Sequence, residues 1–276
     1  MKKLFLVLTL SLLSSLALTA TNTVTIKGKW ERGGEDVSLY KVVSGRLEPV
    51  STYNLDKDND FGFVFTPKYE GFYAIGTGFS QAKTDKFMFY FKPGDKLNIE
   101  VSDSIYQLVG ENSSENLVME KWYNWIYPIH DMAVYFFTKT DTYVDFFPIL
   151  EEAVANPFEI PSTGNALFNE QFKRFTEVEL ISNAMNFLHT PRSAHPHVDE
   201  YPDFYRDIDF TNLTRDDFLM KYPFGSGLIT TLLFLSERLE GLETQREFDD
   251  ALSMIPDNSL KGEYLLSKAR GIKTYL

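Results

Sequence analysis

The fold is decided at Tyr106-Gln107-Leu108-Val109-Gly110-Glu111-Asn112-Ser113-Ser114-Glu115-Asn116-Leu117-Val118-Met119-Glu120-Lys121-Trp122, where the apolar spacing changes period. Up to Val109 the chain runs in short bursts of β-branched and aromatic residues. Beyond Gly110, Val118, Trp122, Trp125, Ile126 and Ile129 fall on one face of a 3.6-residue helix. Asn112, with Glu115 three residues on, reads as the capping box that opens this helix. The change of period puts a domain boundary at about Gly110.

Working back from that point, strands are expected over 23–30, 37–43, 47–55, 61–65, 72–76, 86–91, 96–101 and 106–109. Between them lie Gly33-Gly34, Ser44-Gly45, Asp58-Asn59-Asp60, Glu70-Gly71 and Pro93-Gly94-Asp95, residues that supply positive or preset φ where a chain reverses. Val24, Ile26 and Trp30 alternate with Thr25, Lys27 and Lys29, the pattern of a strand with one wet face. Short strands at this spacing argue an antiparallel sandwich or open barrel.

Working forward, Phe168, Phe172, Phe175, Val178, Ile181, Met185 and Leu188 mark a long helix. Further helices are expected over 228–239, 247–255 and 260–275, interrupted at Gly241 and Pro256, with an irregular loop between Thr190 and Pro202. The fold class is therefore α+β: a signal segment over 1–20, a β-sandwich-like domain over 21–110 and a helical domain over 111–276.

Composition narrows the chemistry. None of the 276 residues is cysteine, which excludes a disulfide, a Cys nucleophile, an Fe–S cluster or a Cys-ligated zinc. Four histidines leave few ways to assemble a Ser-His-Asp triad. Lys2 and Lys3, the apolar run from Leu4 to Leu18, and Thr19-Ala20 have the layout of a secretory signal, too short for the ~20 apolar residues of a spanning helix. The mature chain is expected to begin near Thr21, in the periplasm or cell envelope, with no stable membrane span after cleavage. Loss of two lysines leaves 25 basic against 39 acidic residues, a net charge of −14 that disfavours nucleic acid and anionic lipid.

Each candidate site has a plainer counterpart. His195-Pro196-His197-Val198-Asp199 matches the start of the H-x-H-x-D-H zinc signature of the metallo-β-lactamase fold, but Glu200 stands where the next histidine belongs and no histidine follows. His189, His195, His197 and Asp199 are thus the metal candidates, against a solvated loop. Asp56-Lys57-Asp58-Asn59-Asp60 begins like a calcium loop, yet Phe61 and Pro67 replace the Gly and Glu an EF-hand needs, so an acidic turn is favoured. His130 reads as a partly buried structural residue. The aromatics are dominated by 24 Phe, core residues by type, and a glycan-stacking face would sooner use Trp30, Trp122 and Trp125. No phosphate loop, nucleophile elbow or dinucleotide fingerprint occurs. No catalytic or cofactor-binding residue is assigned, and no cofactor is expected.

The order of parts resembles a known family. Gly62-Phe63-Val64-Phe65, Glu70-Gly71-Phe72-Tyr73-Ala74-Ile75, and Phe89-Tyr90-Phe91-Lys92-Pro93-Gly94-Asp95-Lys96-Leu97-Asn98-Ile99, followed by Gly110 and Asn116, resemble the N-terminal region of exported TlpA-like thiol-disulfide oxidoreductases. In that family a β-rich domain of unknown function and a helical segment precede a thioredoxin domain. Tyr201-Pro202-Asp203-Phe204-Tyr205 and Lys221-Tyr222-Pro223-Phe224-Gly225 look like its helical linker. The family's chemistry belongs to a Cys-x-x-Cys that has no counterpart here, so no catalytic residue carries over. The resemblance implies an exported, non-catalytic accessory or recognition module of a thioredoxin-like system, with a protein partner or a following thioredoxin domain as its associate. Two alternatives stand beside it: a fragment of a periplasmic oxidoreductase whose thioredoxin domain lies beyond residue 276, and a cell-surface adhesin or glycan-binding module.

Overall fold

The computed structural model describes residues 22–102 and 105–273. The expected signal segment, 1–20, lies outside them. Eight strands form at the expected places: β1 (Val24–Trp30), β2 (Asp36–Val43), β3 (Arg46–Asn54), β4 (Asp60–Phe65), β5 (Gly71–Gly76), β6 (Lys86–Phe91), β7 (Lys96–Val101) and β8 (Tyr106–Leu108). They make two four-stranded sheets, ordered β4-β1-β7-β8 and β3-β2-β5-β6. One pairing departs from the antiparallel expectation. β1 lies parallel to β7, with Ile26 beside Leu97 and Gly28 beside Ile99, because the first strand inserts between β4 and the end of the meander.

The sheets face each other across a core that includes Val24, Ile26, Trp30, Leu39, Phe63, Ile75, Phe89 and Ile99. In β1 the expected alternation holds, with Val24 and Ile26 buried and Lys27 exposed. β5 and β6 are buried on both faces, which is why their sequences read as unbroken apolar runs. Tyr73, Ile75, Phe87 and Phe89 point into the sandwich, whereas Phe72, Ala74, Met88 and Tyr90 point outward into a second core.

That second core is roofed by helices. They are α1 (Ser114–Val134), α2 (Tyr143–Ala155), α3 (Ala166–His189), α4 (Asp203–Arg206), α5 (Phe210–Leu213), α6 (Phe218–Lys221), α7 (Gly225–Leu239), α8 (Phe248–Ser253) and α9 (Asn258–Lys273), with a 3₁₀ turn at Val198–Glu200. Phe72 of β5 stacks on Phe175 of α3 with centroids 4.4 Å apart, and Tyr90 of β6 meets Phe168 edge-on at 4.9 Å. Burial of each such ring is worth about 1.5–3 kcal/mol. The outer face of one sheet is therefore the floor of the helical layer, and Gly110, at φ 63°, lies in the connection between β8 and α1.

Two local expectations are corrected. The N-cap of α1 is Ser113, whose hydroxyl accepts from the Asn116 amide at 3.3 Å. Asn112 instead spends its side chain on Asn98 N at 2.8 Å and Val109 O at 2.9 Å, so it ties β7 to the loop. The helix Tyr143–Ala155 has no counterpart in the sequence reading. It holds Pro148 in its interior, and its start is fixed by a Thr142–Asp145 capping box.

The hairpin joining β2 and β3 docks on the joint between α6 and α7. Gly45, at φ 70°, donates to Met220 O at 2.8 Å and accepts from Ser226 N at 3.2 Å. A Cβ on Gly45 would stand 2.5 Å from Ser226 N, and one on Gly225 would stand 1.7 Å from Leu219 O. Glycine is required at both, and this contact forms one wall of the site described next.

Candidate functional site

A cleft of about 570 Å³ opens where six parts of the chain meet. The 45–46 turn and the loop after β5 (Gln81 to Thr84) supply two walls. The end of α1 with Phe136 and Phe137, the last turns of α3 (Ser182, Asn186, His189), the first turns of α7 and Ser267 of α9 supply the rest. A second depression of about 220 Å³ shares His189, Thr230 and Thr231 with it and runs on past Phe234, Arg246 and Lys268.

Lys83 is at the centre. Its ammonium donates to the Ser182 carbonyl at 2.9 Å and to Ser182 Oγ at 2.6 Å, and it lies 5.6 Å from the Phe224 ring centre. Crowding by protein atoms lowers its pKa to about 7, against a smaller opposing pull from Glu179. Glu179, one turn earlier on α3, accepts from the Trp122 indole N–H. Burial raises its carboxyl to about 7, while the indole and Lys83 pull the other way. His130 of α1 completes the group: burial, then the Lys83 charge, lower it to about 4 despite a hydrogen bond with Asn183, so it is neutral near pH 7.

The loop bearing Lys83 is held at both ends. Asp85 pairs with Arg32, and its side chain accepts from Tyr135 Oη at 3.2 Å, which fixes the loop to the end of α1. Lys86 sends its ammonium back to the Thr77 carbonyl, closing the loop's base. Gln81 donates to Leu47 O at 2.9 Å. Lys83 thus sits on a clamped loop, a suitable mount for a recognition group.

The motif that carries the family resemblance does different work. Asp95 accepts from Lys92 N at 2.9 Å and so closes the Lys92-Pro93-Gly94-Asp95 turn. The Lys92 ammonium reaches Asp95 at 3.0 Å and Glu115 at 2.8 Å, and Asn165 bridges Glu115 and Glu70. This cluster fastens the sandwich to the starts of α1 and α3.

The metal candidates are dispersed. His189 Nδ1 faces Met185 O at 2.7 Å and its ring packs on Phe234. His195 and His197 are exposed; His197 N donates to Glu200, which also accepts from Tyr143 Oη. Asp199 is exposed in the 3₁₀ turn. Among the described residues no three His, Asp or Glu side chains come together in a way that could hold a metal ion. The 56–60 segment is a turn in which Asp56 accepts from the Asp58 and Asp60 amides. Trp30 and Trp122 are buried, which removes two of the three tryptophans from any sugar-stacking face.

No protein-family model matches the sequence, and no curated protein matches it. The site was missed by sequence reasoning because Lys83 lies in a loop with no motif. A signal was nevertheless present on α3: Glu179, Ser182, Asn186 and His189 recur at helical spacing within a helix otherwise rich in buried apolar residues, which marks a polar stripe facing something other than core.

Proposed function

We propose that this chain is an exported, non-catalytic recognition module of a TlpA-like redox system, and that the Lys83 cleft is where it holds its partner. The observation that carries the reading is the lining of that cleft: Arg46, Lys83, His189 and a set of aromatics and hydroxyls, with no Asp or Glu. A fold with no cysteine has no thiol to offer, so thiol chemistry in such a system belongs to the partner. Export is supported by Lys2, Lys3 and the apolar run that follows. No helix among the described residues is long and apolar enough to cross a membrane.

The test is site-specific crosslinking. A photoreactive phenylalanine analogue at Phe137, which is 84% exposed at the cleft, is expressed in the native host and the adduct identified by mass spectrometry. A periplasmic thioredoxin-fold protein with a Cys-x-x-Cys is the expected product. Adducts only with proteins of other folds, or none, would overturn the redox setting. The purified chain should also reduce insulin no faster than buffer, and measurable turnover would overturn the non-catalytic part.

A further inference from the structure

The chain has 39 acidic residues against 27 basic, yet no carboxylate lines the Lys83 cleft. Arg46 is already neutralised from behind by Glu263 at 2.8 Å. Lys83 is different. Its hydrogen-bond acceptors, the carbonyl and hydroxyl of Ser182, are both neutral and use two of its three ammonium protons. The carboxylate behind it, Glu179, is engaged by Trp122. One strong donor is thus left for an anion in the cleft, with full charge assistance when Lys83 is protonated.

The surroundings of Lys83 are apolar. Phe136, Phe137, Phe224 and Leu228 form the walls, and Phe137 stands 84% exposed with its ring 4.0 Å from that of Phe136. The exposed Phe137 ring beside a concave surface offers a face for an incoming aromatic ring to pack on. Thr231 and Ser267 donate their hydroxyl protons to their own helices, keeping oxygen lone pairs available to accept from peptide N–H groups. The groove is elongated, with Lys83 in one depression and Arg246 and Lys268 in the next, where the buried Glu237 already accepts from the Arg246 amide. An extended chain with spaced carboxylates matches that shape and charge better than a compact solute.

The geometry points to an acidic, aromatic-bearing peptide segment of a partner protein as the occupant of this groove, one carboxylate on the Lys83 ammonium and one ring against Phe136, Phe137 and Phe224. This rests on the recognition reading above and gives it a chemistry. The recognition mode is a charge-assisted anchor beside an aromatic slot, so both halves are needed.

Fluorescence anisotropy on the full mature chain tests it, with a fluorescein-labelled decapeptide of alternating Glu and Phe as probe and its Lys-for-Glu counterpart as control. The acidic peptide should bind at least about tenfold tighter than the basic one, and Lys83→Met should weaken it by about tenfold or more, the loss of one charge-assisted hydrogen bond. Lys83→Arg should retain most of the affinity, and Lys57→Met, on the remote 56–60 turn, all of it. Equal binding of both peptides, or wild-type affinity in Lys83→Met, would overturn the assignment. If Lys83→Met fails to fold, Phe137→Ser serves instead, since that ring is largely in solvent; unchanged affinity there also sinks the proposal. A thioredoxin-fold adduct at Phe137 with no charge preference among peptides overturns the peptide chemistry alone. Charge-selective binding with no such adduct overturns the redox setting and leaves the groove's chemistry standing.

Discussion

Asn116 pairs with the backbone of Tyr90 as if it were a neighbouring strand: its Oδ1 accepts from Tyr90 N at 2.9 Å and its Nδ2 donates to Tyr90 O at 2.9 Å. β6 is the edge of its sheet, and edges leave N–H and C=O groups unpaired. Here a wholly buried side chain from the first turn of α1 closes that edge and fixes where the helical layer sits on the sandwich. Asn116→Leu removes both bonds and strands two buried backbone groups, each costing about 1–3 kcal/mol. Urea denaturation should show a fall in stability of at least about 2 kcal/mol. Asn116→Asp should lose at least as much, since it sets a buried carboxylate oxygen against the Tyr90 carbonyl.

The Lys92 cluster should be felt through Glu115, which is 2% exposed. Burial pushes its carboxyl up, but hydrogen bonds from Lys92, Asn165 and Ser114 outweigh this and hold it below the usual value. A carboxyl depressed on folding contributes stability that is present above its unfolded pKa and lost as pH falls through the folded one. Lys92→Met should therefore be destabilised by about 1–3 kcal/mol at neutral pH. The gap from wild type should narrow in acid denaturation series as pH falls through the depressed folded pKa of Glu115, where its proton returns in both.

His130 gives a pH dependence of the same sign in a higher window. Its folded pKa, about 4, lies below the ordinary 6.5, so the unfolded chain binds more protons between those values and stability contributed by neutral His130 falls as pH drops through that window. The full effect amounts to about 3 kcal/mol at most. Glu179, raised to about 7, works in the other direction over part of the same range. The wild-type curve alone is therefore uninformative, and the comparison to make is with His130→Gln. That variant should be less stable than wild type at pH 7 and regain most of the difference by pH ~4.5. A constant difference between the two curves would show that His130 does not titrate as described.

Gly225 and Gly45 hold the cleft's wall in place. Gly225→Ala drives a Cβ into the Leu219 carbonyl, and Gly45→Ala combines a left-handed backbone with a clash on Ser226 N. Each should lower stability by about 1–3 kcal/mol in thermal or urea melts, with the larger loss at Gly225, where the obstacle is backbone at 1.7 Å. Gly227→Ala, which meets nothing within 4 Å, is the control and should be neutral or slightly stabilising.

Elements that obey a local rule are legible in the amino-acid order. Eight strands follow from turn residues and β-branched runs, and α3 follows from a stripe running from Phe168 to Leu188, because each depends on neighbours within a few residues. That none of these 276 residues is cysteine is likewise a matter of composition alone. The tertiary structure decided what no local rule encodes. The parallel pairing of β1 with β7 joins residues some seventy apart in the chain. The choice of Ser113 over Asn112 as cap depended on β7, whose Asn98 claims the Asn112 side chain. α2 forms despite Pro148 because Phe146, Phe147 and Leu150 are buried in the helical core, and that burial outweighs propensity. The site is the extreme case. Lys83 and Ser182 are separated by 99 positions, and only the clamping of the 77–85 loop between Arg32, Tyr135 and Thr77 brings the amine onto α3. Burial, which shifts the amine and carboxylate toward neutrality, is a property of everything packed around them and is written in no single stretch of the chain.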